Sequence, residues 1–383
     1  MTSKKQYQLL LIKNMGNKIV KKKILIYGAG AIGRGYVPWI FPSDSYELTF
    51  VESNKRLREA LKRQKKFTTY RTRNGKYEKL VCSFQECFDL GEESPELYDG
   101  IITAVGPRQV YSLIEAFSKV DCPIVLFEND SRLPPELRVL TGKDNIYFGI
   151  PDVITSNTAP VDMLEIDPLS IVTEDGVSFV EDGASSLGGN ISYVSKSEMK
   201  KQWAAKLYIH NTPHCIAAYL GSMCGYQYLH EGMNKKPIYD IVEGAMKEMS
   251  QTVVKLFDLD QDFVDWYSAK ELARFSNVLL YDPILRVARE PFRKLGLQDR
   301  LIGASQLALS TGVIPEKLIL GIMTAFMYDE SSDEDFNIRI LINSLDPKNF
   351  LKIIIGLKSH EALYKLIVKK WNNSIEILGD IKK

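Results

Sequence analysis

Histidine is scarce in this 383-residue chain, with only His210, His214, His230 and His360 present. Cysteine is limited to five residues, Cys82, Cys87, Cys122, Cys215 and Cys224. The number is odd, and Cys82 and Cys87, with four residues between them, have no histidine nearby. That inventory argues against a zinc centre, so any alcohol or carbonyl must be activated by side chains alone. It also reads as a set of reduced thiols and predicts a cytoplasmic protein. A charge excess is missing too. The chain has 49 Lys and Arg against 48 Asp and Glu, a net charge of +1, so no overall field recruits nucleic acid or an acidic membrane. Long apolar runs are absent, since the longest stretches, such as residues 318–327, reach about ten residues, roughly half a membrane span. Residues 1–22 are basic with one short apolar run and no signal-peptide core or cleavage site. They read as a tail, with Met15 a second candidate start.

What the chain does contain falls into two halves with different patterns. The length suits two domains, and 45% hydrophobic with 25% charged residues is globular composition. From residue 23 to about 182, short β-rich runs alternate with helical ones. Residues 23–27 (KILIY), 48–51 (LTFV), 100–104 (GIITA) and 124–127 (IVLF) read as buried parallel strands. Residues 67–73 and 77–82, around Asn74-Gly75, read as an inserted hairpin. Strand–helix alternation of this kind implies a doubly wound, mostly parallel sheet. From Ser195 the strand pattern stops, and amphipathic stretches follow at 196–210, 213–229, 238–256, 268–275, 315–327, 334–344 and 360–372. The fold class expected is α/β in the N-terminal half and mainly α-helical in the C-terminal half. The boundary is placed in the turn-rich stretch 183–190, giving a tail (1–22), a nucleotide-binding domain (23–190) and a helical domain (191–383).

Residues 23–35 read KILIYGAGAIGRG, which puts Gly28-Ala29-Gly30-Ala31-Ile32-Gly33 directly after a strand. This is the GxGxxG fingerprint of a Rossmann dinucleotide site. The first glycine permits the turn, the second admits a pyrophosphate to the backbone, and the third lets helix and strand pack closely. Glu52 closes the second strand 19 residues after Gly33, where a carboxylate accepts from the ribose hydroxyls and repels a 2′-phosphate. The cofactor expected is therefore NAD. Thr103, Ala104, Val105 and Gly106 end another strand with small residues, as a wall beside a cofactor should.

A second signal lies at Lys206-Leu-Tyr-Ile-His-Asn211-Thr-Pro-His214. Ser195 and Glu198 form an S-x-x-E capping box for the helix that leads into it. Pro213 predicts a kink or restart, with Thr212 as the new cap. Lys206, Asn211 and His214 would then converge at a helix break. A desolvated lysine near a cationic nicotinamide has its pKa lowered from about 10.4 toward roughly 7–8, which suits a general base. Asparagine amides can stabilise a developing alkoxide.

With these motifs the chain resembles the polyol-specific long-chain dehydrogenase (mannitol dehydrogenase) family, and its phosphosugar members most. The resemblance covers residue 23 to about 329. It rests on GAGAIGRG (28–35), TAVGP (103–107), FEN (127–129), K-x4-N-x2-H (206–214), AYLG (218–221), RFSN (274–277) and RKLGLQDRL (293–301). It implies metal-free oxidation of a polyol or polyol phosphate to the ketose, with Lys206 as general acid/base. It implies Asn211 and Asn129 as amides for the oxyanion, His214 as the residue that orients substrate, and a monomer. Pro213 and His210 depart from the family pattern.

Arg274 and Asn277, one turn apart, match the family's RFxN element as substrate ligands. Asp282-Pro283 predicts a helix start, with Arg286, Arg289 and Arg293 along one face, although Pro291 should bend the chain, and Lys294 and Arg300 adding charge. The set suits a substrate phosphate, the alternative being that Glu290 and Asp299 pair with some of it. The competing readings are a dehydrogenase of an unphosphorylated polyol, a uronate reductase of the same family and a non-catalytic NAD-binding sensor. The last has no use for Lys206, Asn211, His214 and Asn129 together.

Overall fold

A computed structural model describes residues 20–329 and 338–382. Its N-terminal half is built on eight strands: β1 (Lys22–Tyr27), β2 (Tyr46–Val51), β5 (Cys87–Phe88), β6 (Gly100–Thr103), β7 (Ile124–Leu126), β8 (Ile146–Asp152), β10 (Val177–Glu181) and β11 (Ser192–Val194). They form one sheet in the order β11-β10-β8-β7-β6-β1-β2-β5. All neighbours run parallel except β8 and β10. The continuous apolar runs follow from burial on both faces: Ile24 and Ile26 of β1 enter one core, Leu25 and Tyr27 the other. The four strands expected from the sequence appear within about two residues of their expected ends. The inserted hairpin is also present, as β3 (Lys66–Arg73) and β4 (Lys76–Ser83). Asn74 (φ 50°) and Gly75 (φ 72°) turn it, and β9 (Ile171–Glu174) joins it in a second, three-stranded sheet.

The sheet continues to Val194, so strands give way to helices at Ser195, a few residues beyond position 190. Ser195 caps the first helix, α1 (Lys196–Ala204), by accepting from the Glu198 N–H at 3.3 Å. No break follows at Pro213. The chain passes through a π-helical segment, Ala205–Asn211, straight into α2 (Thr212–Met223). Thr212 keeps helical angles (φ −66°, ψ −60°) and so is not the extended cap expected of it. The physical reason is local. The widened π register absorbs the N–H that Pro213 lacks, and the Thr212 hydroxyl lies 3.1 Å from the Leu207 carbonyl.

Every residue of α2 from Thr212 to Gly221 is buried, so this helix is the axis of the C-terminal half. Against it pack α3 (Lys236–Phe257) and α6 (Glu316–Phe326), and the same core extends through α4 (Gln261–Phe275), α5 (Ile302–Ser310) and α7 (Ala362–Lys382). A Cβ on Gly321 of α6 would come 2.4 Å from Ile216, so glycine sets how closely α2 and α6 approach. Helix α4 starts well before the expected residue 268, because the Asp260 side chain caps it at Phe263 N. Of the helix expected at 334–344, the part Ile338–Ser344 is seen and 334–337 lie outside the described residues, as do residues 1–19 of the tail.

Candidate active site

The glycine turn sits at the C-terminal end of β1, beside the end of β6. Gly28 has φ +94°, and a Cβ there would meet the Ala104 carbonyl oxygen at 2.5 Å. A Cβ on Gly33 would lie 1.9 Å from the Gly28 oxygen, whereas one on Gly30 would meet nothing within 4 Å. Two glycines are thus required by the fold, and the third leaves an open backbone face of the sort a pyrophosphate approaches. Ala31 and Ile32 begin the π-helical turn Ala31–Tyr36 that follows. Glu52, at the end of β2, accepts from Ala29 N at 2.8 Å and from Asn54 N at 2.7 Å, which brings its carboxylate to the glycine turn. Buried Arg34 holds the same turn from behind through the Ala29 carbonyl.

The Thr103–Gly106 wall depends on a residue that sequence reasoning passed over. Glu128 accepts from the Thr103 hydroxyl (3.0 Å), Val105 N (2.9 Å) and Gly106 N (2.8 Å). Burial pushes its carboxyl up from the usual range, against those hydrogen bonds. Its neighbour Asn129 is exposed at the end of β7 and is not drawn into the buried cluster around Lys206.

Lys206 lies on the π segment with only 5% exposure. Its Nζ donates to Asp152 Oδ1 at 3.1 Å, at the C-terminal end of β8. Asp152 is the hub of this buried cluster. It also accepts from Tyr267 (3.0 Å), Lys270 (3.0 Å) and Arg274 (3.1 Å), all three on α4. Burial would raise the Asp152 carboxyl, but Lys206, Arg274 and Lys270 hold it well below the usual carboxylate range. Desolvation dominates at Lys206 and pulls its ammonium down from the ordinary lysine value, with Asp152 opposing. Arg274 binds Glu174 at 2.6 Å, its neighbour Glu271 and Asp152, so it is fixed between both halves of the chain. Glu271, fully buried, also bonds His210 Nδ1. Asp152, His210 and Glu271 converge as metal ligands can, within 4.8 Å, but three cations already share their carboxylates.

His214 follows one turn later. Its Nε2 meets Asp282 at 2.8 Å, its ring stacks on Phe275, and burial lowers its pKa to about 4. The ionised Asp282 can only accept, so Nε2 carries the proton and Nδ1 is left as an acceptor. Asn211, on the π turn between, is buried with its Nδ2 unpartnered among the described residues. Asn277 serves the fold, its side chain accepting from Leu279 N.

The expected arginine face does not form. The helix Ile284–Ala288 ends at Arg289, Glu290 turns left-handed (φ +57°), and Pro291–Lys294 starts afresh. Arg286 binds Asp282 (2.5 Å), Arg293 binds Glu290 and Asp299, and Arg300 binds Asp299. Lys294 is buried on the carbonyls of Val287 and Arg289. Arg289 is exposed and Arg286 half-buried.

The five carboxylates that organise the site, Glu128, Asp152, Glu174, Glu271 and Asp282, were not singled out as site residues from sequence. Two left a trace. Glu128 stands inside the FEN element, and Glu271 precedes Arg274 by three residues on one helix, the spacing of an ion pair.

Comparison with known proteins covers both halves. Residues 22–122 match the mannitol dehydrogenase Rossmann domain, and residues 199–373 match the mannitol dehydrogenase C-terminal domain. Mannitol-1-phosphate 5-dehydrogenases of Caldanaerobacter subterraneus and Bacillus subtilis are each 27% identical, over 91% of this chain and 97% and 99% of theirs. Among solved structures, Pseudomonas fluorescens mannitol 2-dehydrogenase, in a ternary complex with NAD and D-mannitol, aligns with a TM-score of 0.69 at 15% identity, covering 94% of this chain and 90% of that one. A D-sorbitol dehydrogenase aligns with a TM-score of 0.66 at 15% identity, covering 94% and 95%. Two family domains in their proper order, on a fold shared with these enzymes, establish that the chain belongs to the mannitol dehydrogenase family.

Proposed function

We propose that this protein is an NAD-dependent polyol dehydrogenase whose substrate is a sugar-alcohol phosphate, mannitol 1-phosphate, oxidised reversibly to fructose 6-phosphate. The observation that carries the reading is Lys206, a buried amine with a lowered pKa, one π turn from the unpartnered amide of Asn211. The open backbone at Gly30 fits a dinucleotide. Residues 28–33 would hold its phosphates, Glu52 its ribose and residues 103–106 its flank. When bound, NAD supplies the hydride acceptor.

Lys206 takes the hydroxyl proton, and its desolvated setting makes the neutral amine easier to reach than in an ordinary lysine. Asp152 fixes the amine in place and, once Lys206 is protonated, stabilises the ammonium. Asn211 Nδ2 has a hydrogen to give to the developing alkoxide, and Asn129, exposed after β7, is the second amide for that role. His214 Nδ1 accepts from a neighbouring hydroxyl and so orients the chain of the polyol. Oxidation rises with pH as Lys206 loses its proton, and ketose reduction falls.

The phosphate is supported by the names of the relatives and by Arg286 and Arg289, which reach the surface. One observation favours a second reading, an unphosphorylated polyol: most cations of the segment are already bound to carboxylates. An NAD reduction assay with mannitol 1-phosphate, mannitol, arabinitol and glucitol 6-phosphate separates the two. Mannitol 1-phosphate should exceed mannitol in kcat/KM by roughly 10²-fold, about 3 kcal/mol of phosphate contact. Equal efficiency with both would overturn the phosphate reading.

A further inference from the structure

Beside Lys206 the chain buries a second titratable pair that the proposed oxidation leaves unused. Glu271 is 0% exposed and His210 is 3% exposed, and they are joined through Oε2 and Nδ1. A buried His–Glu contact next to a catalytic amine is costly to maintain unless a proton is held there. The groups that face it come from every surrounding element. They are Asp152 on β8, Glu174 on β9, Lys206 on the π segment, His214 on α2, and Tyr267, Lys270 and Arg274 on α4.

The charges of this cluster constrain its protons. Three carboxylates (Asp152, Glu174, Glu271) oppose three cations (Lys206, Lys270, Arg274) when His210 is neutral and Lys206 is protonated. Removing the Lys206 proton alone leaves the buried cluster with one net negative charge. Placing that proton on Glu271 or His210 restores the balance and frees the amine. We propose that His210 and Glu271 form a second proton site for Lys206, so that one proton is shared between the amine and the pair. This rests on reading Lys206 as the general base. Burial agrees in direction, pushing the Glu271 carboxyl up to about 7 while burial and the surrounding cations keep His210 from protonating easily. In oxidation the substrate O–H bond breaks, Lys206 gains the N–H, the hydride goes to the nicotinamide, and the cluster's excess proton leaves to water. Glu271 and His210 are therefore positioning residues that act through Lys206.

The test is the pH profile of mannitol 1-phosphate oxidation, and of fructose 6-phosphate reduction, by wild type and Glu271→Gln. A shared proton makes wild-type oxidation rise in two ionisations with a shoulder between them, because the doubly protonated cluster loses its protons in turn. Glutamine keeps the size and mimics the protonated acid permanently. The variant should show one ionisation, displaced to lower pH by about one pH unit or more, and ketose reduction near neutral pH should weaken roughly ten-fold for each pH unit of that displacement. A wild-type profile with a single ionisation overturns the proposal, even if the variant does not fold. So does a Glu271→Gln profile identical to wild type. Lys206→Met run alongside separates the two levels: near-normal turnover there defeats the base itself, whereas lost turnover with a single wild-type ionisation defeats only the pair.

Discussion

The glycine turn and the buried ion cluster lie at the same edge of the sheet but are built in opposite ways. The turn is made of backbone: Gly28 and Gly33 are fixed by atoms within a few residues or on the next strand, and Gly30 is left open. The cluster is made of side chains from β8, β9, the π segment and α4, spread over residues 152 to 274. A backbone site tolerates changes that spare its glycines, and it can be read from a short motif. A charge cluster does not, because removing one member strands the others in a low-dielectric interior. Binding should therefore fail gently in the first region, and chemistry abruptly in the second.

The largest effect that sharpens this contrast is expected from Asp152→Ala. Lys206, Lys270 and Arg274 would lose their shared carboxylate, at a cost of about 3–5 kcal/mol in stability. Turnover should fall by roughly 10²–10⁴-fold, as for loss of a positioned base. Urea unfolding and steady-state oxidation check both, and a variant as stable and as active as wild type would break the contrast. Gly33→Ala comes next. The new methyl meets the Gly28 oxygen at 1.9 Å, so the turn must shift, and NADH should bind about ten-fold more weakly or worse. Turnover at saturating cofactor should change far less, and fluorescence titration with kinetics would show the opposite pattern if the contrast were wrong. The smallest effect is expected from Glu52→Ser. Loss of the carboxylate relieves repulsion of a 2′-phosphate and narrows the preference for NAD over NADP, by about ten-fold at most. Some NAD affinity should go too, because Glu52 also ties Ala29 N and Asn54 N. Equal use of both cofactors by the wild type would contradict this role.

The same contrast explains what could be read from the sequence. The parallel strands, the NG hairpin, the glycine turn and K-x4-N-x2-H were legible because each is local: a continuous apolar run, a two-residue turn, fixed spacings. The continuity through Pro213 was not, since a π register depends on how the Thr212 hydroxyl and the neighbouring turn are satisfied. The arginine spacing ends at Glu290, whose left-handed backbone directly precedes the Pro291 that marks a bend in the sequence, and Glu290 and Asp299 pair with Arg293 and Arg300. Asp152 and Glu174 carried no motif at all, and Asp282 only that of a helix start. Asp152 and Glu174 stand at strand ends, and the partners of Asp152 lie 54 to 122 residues away along the chain. Asp282 has Arg286 four residues on, but its histidine partner is 68 residues away. Only packing brings such charges together.

The most direct test of the central claim is Lys206→Met, assayed for mannitol 1-phosphate oxidation and, on the same preparation, for NADH affinity. The neutral, similarly shaped side chain removes the proposed proton acceptor and leaves the glycine turn untouched. Turnover should fall by about 10²–10⁴-fold or more while the NADH dissociation constant stays within roughly two-fold of wild type. Near-normal turnover, or a loss of NADH binding that accounts for the lost rate, would contradict the account.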